Sequence, residues 1–470
     1  MSMFKDIPVE VGVIYEGQRI RWQDAQLELG GPRSANKFEL VKVRGLDEIQ
    51  DGKFSIVGQD LKDLKPGENS PFGILVEVAG KQVESELEGV IERRIHGYSN
   101  YIEGFMHLNQ RYDIQIRLSK KSFEKGLNSF TIIGKILQRL FKSELPIIER
   151  VQITFYTEPA EVKKVWDEAM ATYEIRDAKA RGMKDEEADA FYGCTLCQSF
   201  APTHCCVITP QRYSNCGAIS WFDGRASARV DPKGPVFEIK KGDLVDPERG
   251  EFTGVNQAVK DKSLGEIGRV WLYTAFGYPH TSCGCFEGVA FYIPEVDGLG
   301  IVHRDFKGST VNGLPFSTLA DSTAGGRQVD GFHGISIEYL RSRKFLSADG
   351  GWGRVVWMPS VVKERVKGFI PKELVDKIAT DSDVQTVDQL KVYLTGKNHP
   401  VMGRWKEEEV KPIVAEAAST PAAQEMAQFQ VSGIPLEGIP MAGGMGFKMI
   451  LKDAKIVAKR IIIRSASKGG

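Results

Sequence analysis

Seven cysteines occupy only two short stretches of a 470-residue chain, and any fold this sequence adopts must accommodate that placement. Cys194, Cys197, Cys205, Cys206 and Cys216 crowd into one segment, and Cys283 and Cys285 flank Gly284 further on. A secreted disulfide framework spreads cysteines over pairable positions and leaves none over, so reduced thiolates serving metal are the better reading. That many reduced thiols favour an anaerobic cell. Cys283-Gly284-Cys285 can wrap one ion in a plane. The thiolates supply soft sulfur, and the backbone nitrogens of Gly284 and Cys285, once deprotonated, close fused chelate rings. Such an N2S2 set suits Ni(II) or Cu(II) and not tetrahedral zinc. Glycine at the centre has no Cβ to obstruct the ion.

Upstream, Cys194-x2-Cys197 brings two thiolates to one centre, and Cys206 with Cys216 can close a four-sulfur site. Spacing alone leaves zinc and an iron-sulfur cluster at even odds. Cys205 reads as a small buried residue beside a ligand. The Cys-Gly-Cys element favours the cluster, because a closed zinc site would leave Cys283 and Cys285 without a role.

Lysine plus arginine (62) equals aspartate plus glutamate (62) and the isoelectric point is near 7.1, so no bulk charge draws the chain to nucleic acid or to an anionic membrane. No run of about 18 apolar residues is present. The start, Met1-Ser2-Met3-Phe4-Lys5-Asp6, lacks the order of a signal peptide, and a cytoplasmic location is expected.

The length predicts two or three domains. Over residues 1–187 strand-like and helix-like segments alternate: strands at 38–43, 72–78, 113–118 and 150–156, helices at 84–101, at about 130–141 and opening at Pro159. This predicts an α/β domain with a helix-covered, mostly parallel sheet. The charged run 176–189 ends it. Residues 188–410 read as an α+β metal-cluster domain with glycine-rich loops, short strands at 270–274, 289–293 and 354–357, and a closing helical pair at 371–379 and 387–394. Residues 411–445, rich in Ala, Pro and Gly, read as a linker, and 446–470 as a structured tail that docks on partner subunits or adds an edge strand.

The array Cys194-x2-Cys197-x8-Cys206-x9-Cys216 followed by Cys283-Gly284-Cys285 resembles the A-cluster signature of acetyl-CoA synthase, the nickel enzyme of the anaerobic acetyl-CoA pathway. Glu28-Leu29-Gly30-Gly31-Pro32 and Ile91-Glu92-Arg93-Arg94-Ile95-His96 are also typical of that family, so the resemblance spans nearly the whole chain. Without the large N-terminal domain of many bacterial forms, and with a linker and tail after residue 410, the chain looks like the archaeal β-subunit branch, from the acetyl-CoA decarbonylase/synthase complex.

The resemblance implies an acyltransferase that joins carbon monoxide, a methyl group from a corrinoid iron-sulfur protein and coenzyme A into acetyl-CoA, run in reverse during methanogenesis from acetate. It implies that Cys194, Cys197, Cys206 and Cys216 hold a 4Fe-4S cluster and that Cys197 bridges to a proximal nickel. Cys283 and Cys285 would share their sulfurs with that nickel while binding a distal nickel through their backbone plane with Gly284. Phe200 would lie over the open nickel, against packing as the bland alternative. Carbon monoxide dehydrogenase subunits are the further partners implied. Coenzyme A carries phosphates, and Arg93, Arg94, Arg111, Arg117, Lys120 and Lys121 are the candidates to meet them, a solvated charged face being the alternative for each. Bacterial relatives have a tryptophan where this chain has Met106, so no adenine-stacking residue is carried over. His204 and His280 flank the cysteines as candidate second donors. The competing hypothesis is a non-catalytic zinc or iron-sulfur module for binding or electron transfer.

Overall fold

A computed structural model describes residues 3–404 of the chain. The linker and tail expected at 411–445 and 446–470 lie outside the described residues.

The first region is built on two four-stranded sheets. One has the order Lys37–Val43, Phe72–Ala79, Arg150–Tyr156, Phe54–Val57. Phe72–Ala79 is buried along nearly its whole length, as a strand covered on both faces must be. Arg150–Tyr156 alternates instead, with Val151, Ile153 and Phe155 turned inward. The other sheet runs Asn69–Ser70, Ala25–Gly30, Gln115–Ser119, Phe105–Leu108. Helices Glu88–Asn100 and Phe130–Glu144 share a core with them, where Phe72, Phe130 and Phe155 stack.

The mixed α/β class holds; the first sheet has two parallel pairings and one antiparallel, and the second sheet is mostly antiparallel. The central pair of the first sheet, Phe72–Ala79 with Arg150–Tyr156, is antiparallel, flanked by parallel neighbours. Alternation of strand and helix implies parallel strands only when successive strands sit side by side. Here Phe105–Leu108 and Gln115–Ser119 join the second sheet, so the chain returns to the first in the opposite sense.

Helix Pro159–Arg181 begins with proline at its first turn, where no N–H is needed. A three-stranded sheet then runs Cys206–Ile208, Ala190–Cys194, Val236–Lys240, and a five-stranded one runs Phe332–Ile335, Gly288–Ile293, Gly298–His303, Val355–Met358, Ala379–Thr380. The strand expected at 270–274 is absent: Trp271 makes one isolated bridge to Pro279, and Leu272 and Tyr273 are buried in a turn, their N–H groups bonded to Gly250 and Arg249 carbonyls. That apolar run buries its side chains without pairing. In place of the closing helix at 371–379 there is a single turn, Lys372–Val375, followed by the edge strand Ala379–Thr380, and the last expected helix is Val387–Gly396. Among the described residues no helix is long and apolar enough to cross a membrane.

Candidate metal centre

All seven cysteines are unpaired and buried. Strand pairing explains the first two ligand positions: Cys194 ends Ala190–Cys194 directly opposite Cys206, which opens Cys206–Ile208. Directly opposed residues point to one face, with Cβ atoms about 5 Å apart. The loop between them turns at once, Ala201 N–H donating to Cys197 O at 3.0 Å, and this hangs Cys197 beside the pair. Cys216 sits on a second turn, closed by Gly217 N–H to Ser214 O at 2.9 Å. Gly217 has φ +73°, and a Cβ there would lie 2.5 Å from the Glu287 carboxyl, so only glycine fits. Backbone N–H groups of Leu196, Asn215 and Ala218 point to the sulfurs of Cys194, Cys206 and Cys216. Amides aimed at sulfur are the environment an iron-sulfur cluster uses to set its potential.

The decisive contact links the two sequence stretches. The sulfurs of Cys197, Cys283 and Cys285 all lie within 4.8 Å of one another. Gly284 has φ +133°, and a Cβ there would meet only Ala324 and Phe200 at 3.5 and 3.7 Å, so the backbone conformation, not lack of space, demands glycine. The Cys285 N–H faces Cys283 Sγ at 3.3 Å, so sulfur and backbone nitrogen already converge. The thiols of Cys283 and Cys285 are pushed up by hydrogen bonding to Cys197. Cys197 is held well below the ordinary thiol range, by the Cys283 and Cys285 hydrogen bonds first and then, against burial, by the charge of Arg93. Burial raises Cys194, Cys206 (to about 11) and Cys216, and also Cys205, which is fully enclosed.

Helix Glu88–Asn100 supplies the wall. Arg93 and His96, three apart, share a face toward the sulfurs. Arg93 is 1% exposed and donates to Cys197 Sγ at 3.1 Å, with Cys285 Sγ at 3.9 Å. Burial opposes its charge, but the sulfurs of Cys197, Cys285 and Cys216 together outweigh burial and raise its pKa. His96 Nε2 lies 4.0 Å from Cys285 Sγ; its Nδ1 is 3.1 Å from His107 Nδ1, and His107 Nε2 is 2.5 Å from Glu39. This buried chain had no signal in the sequence beyond the helical spacing of residues 93 and 96.

His280 bonds the backbone, and His204 the side chain of Thr281. His280 Nε2 accepts from Val207 N–H at 2.9 Å, so its Nδ1 is the donor to Thr281 O at 2.6 Å, and His204 Nδ1 lies 2.9 Å from Thr281 Oγ1. Together they brace the segment entering Cys283. Phe200 stands against Gly284 and, with Cys283 and Cys285, lines a cavity of about 500 Å³ whose rim carries Glu16, Arg19, Arg304 and Arg327.

The six cationic candidates do not form one surface patch. Arg93 faces sulfur; Arg111, buried, donates both ways to Asp177 at 2.9 and 3.0 Å; Arg117 donates to Glu28 at 2.7 Å. Arg94 is half-buried, while Lys120 and Lys121 are exposed, Lys120 donating to Gln23 O. Buried carboxylates far along the chain take the charge that a local reading leaves free. Met106 is buried, its sulfur accepting from Ile20 N–H at 3.4 Å.

Residues 7–162 match a family described as the beta subunit of the CO dehydrogenase/acetyl-CoA synthase complex, and residues 173–405 match one described as the C-terminal part of the ACS/CODH beta subunit. Acetyl-CoA decarbonylase/synthase complex subunit beta 2 of Methanosarcina thermophila is 50% identical over 97% of this chain and 98% of its own length. Subunit beta of the same complex in Methanothermobacter thermautotrophicus is 49% identical over 98% of this chain and all of its own. A solved C-terminal domain of an acetyl-coenzyme A synthase alpha subunit is 40% identical over 26% of this chain and 96% of its own, with a TM-score of 0.24. The chain therefore belongs to the CO dehydrogenase/acetyl-CoA synthase complex beta-subunit family, a family of enzymes.

Proposed function

We propose that this chain joins carbon monoxide, a methyl group carried by a corrinoid iron-sulfur protein and coenzyme A into acetyl-CoA, reversibly, at a nickel-containing A-cluster. The observation that carries the reading is the convergence of the Cys197, Cys283 and Cys285 sulfurs within 4.8 Å of one another, with Cys283 and Cys285 lining a cavity. Cys194, Cys197, Cys206 and Cys216 would hold a 4Fe-4S cluster, with amides aimed at three of the sulfurs in support. Cys197, Cys283 and Cys285 would hold a proximal nickel, and Cys283-Gly284-Cys285 a distal one through two sulfurs and two backbone nitrogens. When bound, these metals supply the sites at which carbon monoxide and the methyl group meet and the acetyl group passes to the thiol of coenzyme A.

The residues do the rest. Phe200 covers the cavity side of Gly284, where a ring confines a small ligand and keeps water out. Hydrogen bonds from Cys283 and Cys285, and after them the charge of Arg93, favour the thiolate form of Cys197. Coenzyme A would enter by the cavity, and Arg19 and Arg327, exposed on its rim, replace the buried arginines as candidates for its phosphates. Residues 1–187 would then serve as the coenzyme A side and 188–410 as the cluster side, with 446–470 as the docking element for carbon monoxide dehydrogenase and corrinoid subunits in an anaerobic cytoplasm.

Two measurements test this. Metal analysis of anaerobically purified protein should find about two nickel for every four iron; zinc alone or iron alone sinks the proposal and restores the non-catalytic module. The reduced, nickel-loaded protein should exchange labelled carbon monoxide into the carbonyl of acetyl-CoA, and an absence of exchange refutes the reaction.

A further inference from the structure

Within a planar trans peptide the carbonyl oxygen and the amide nitrogen point in opposite directions, so whatever holds one sets the other. The nitrogens of Gly284 and Cys285 share their peptides with the carbonyls of Cys283 and Gly284. Both carbonyls carry a donor: Gly325 N–H reaches Cys283 O at 3.1 Å, and Arg304 Nη2 reaches Gly284 O at 3.0 Å. The result is visible at Cys285, whose nitrogen is turned to Cys283 Sγ at 3.3 Å.

Arg304 is itself fixed. Its Nε donates to Phe286 O at 3.0 Å, Nη1 donates to Asn109 Oδ1, and the guanidinium lies 5.9 Å from the Phe286 ring centre and 5.7 Å from that of Phe316. Gly325 has φ +92°, and the next N–H, from Gly326, bonds Ser282 O at 2.9 Å. The loop and the arginine thus grip the tripeptide from both sides.

We infer that Arg304, with the Gly325 amide, is a two-donor clamp that presets Cys283-Gly284-Cys285 for planar metal binding. The inference rests on the proposal above that this tripeptide binds nickel through its backbone nitrogens. On binding, each of the two nitrogens releases its proton to solvent and forms one bond to the ion. The negative charge left on each amide is shared with its carbonyl oxygen, where a donor stabilises it. At Gly284 that donor is a cation in a partly buried setting, and charge-assisted hydrogen bonds are about twice as strong as neutral ones. Arg304 is a positioning residue: it acts on the metal through the peptide.

The test uses the full chain with its iron retained and its nickel removed by a chelator, titrated with Ni2+ in competition with that chelator. The ligand-field band of square-planar nickel is followed. Arg304→Gln should weaken nickel binding at this site by about tenfold or more, the range expected when a partner of a metal ligand is lost. Arg304→Lys, which keeps the charge but not the fork, should fall between Gln and wild type, with iron content unchanged in both. Wild-type affinity and band in both variants overturns the clamp. So does loss of iron together with nickel in both, which reduces Arg304 to a general structural role. A wild-type protein that binds nickel with no square-planar band overturns the nickel reading beneath it.

Discussion

Replacing Arg93 by methionine removes one buried charge while keeping most of the side-chain volume, and the consequence for the proposed 4Fe-4S cluster follows from Coulomb's law. The guanidinium nitrogen lies 3.1 Å from Cys197 Sγ, a distance at which unit charges interact by about 5 kcal/mol with an effective dielectric of ~20. The added electron of a reduced cluster is spread over several metals and sulfurs, which leaves about 2 kcal/mol as the share felt at this nitrogen. A one-electron couple moves by 59 mV for each factor of ten, or ~1.4 kcal/mol, so the midpoint potential should shift by roughly 90 mV. Loss of a cation disfavours the reduced state, so the shift is to more negative potential. Arg93→Lys should recover part of it. The assay is an electrochemical titration of the iron-loaded protein followed by the resonance of the reduced cluster. A methionine variant with full iron and a midpoint within about 20 mV of wild type would refute the reasoning, because a group in contact with the Cys197 sulfur would then carry no electrostatic effect on the centre.

If the proposed cluster is present, Phe200→Ala should keep the wild-type metal content but change the dependence of exchange on carbon monoxide concentration, and an unchanged dependence removes the gating role. Gly217→Ala forces a Cβ against the Glu287 carboxyl at a positive φ and should lower stability by about 2–4 kcal/mol, read from denaturant midpoints; a change below ~0.5 kcal/mol would mean the turn relaxes freely. Chelation of all metal should lower amide-exchange protection in the loops around Cys197 and Cys216 while leaving the strand Phe72–Ala79 as protected as before. Deleting residues 411–470 should release the chain from its complex, and retained assembly with full exchange activity dismisses the docking role of the tail.

The cysteines that the fold brings together stood out in the sequence because their chemistry is local: Cys194-x2-Cys197 and Cys283-Gly284-Cys285 each specify a small piece of geometry by themselves. The strands were legible for a related reason, since Phe72–Ala79 and Arg150–Tyr156 carry their burial patterns in their own residues. Direction and pairing were not, because they depend on which strands lie between others. The cationic patch failed for the same physical reason. Arg111 and Arg117 stand among few acids in sequence, but Asp177 and Glu28 close on them from 66 and 89 residues away. Glu92, also buried against Arg111 and Arg176, has its carboxyl pushed up to about 7 because burial outweighs both guanidiniums. A sequence counts charges, whereas a fold pairs them.

Pairing also separates Arg93 from its neighbours. Arg111 and Arg176 each meet buried carboxylates, but among the described residues the hydrogen bonds of the Arg93 side chain go to sulfur, and its Nε has no partner. A desolvated guanidinium without an anion is costly by several kcal/mol, so a fold that retains one must offset it. Among the described residues the anionic charge in contact with this one is that of the cysteine sulfurs. The thiols of Cys216, Cys283 and Cys285, whose pKa values are raised, stay neutral until something removes their protons, and a metal does so on binding. Arg93 is thus stabilised fully only when the centre is loaded, and the loaded centre is held in turn by a charge that no carboxylate in contact neutralises. On this account metal content and local order around Glu88–Asn100 rise and fall together, and Arg93, a candidate for the phosphates of coenzyme A in the sequence, is turned to the cysteine sulfurs instead.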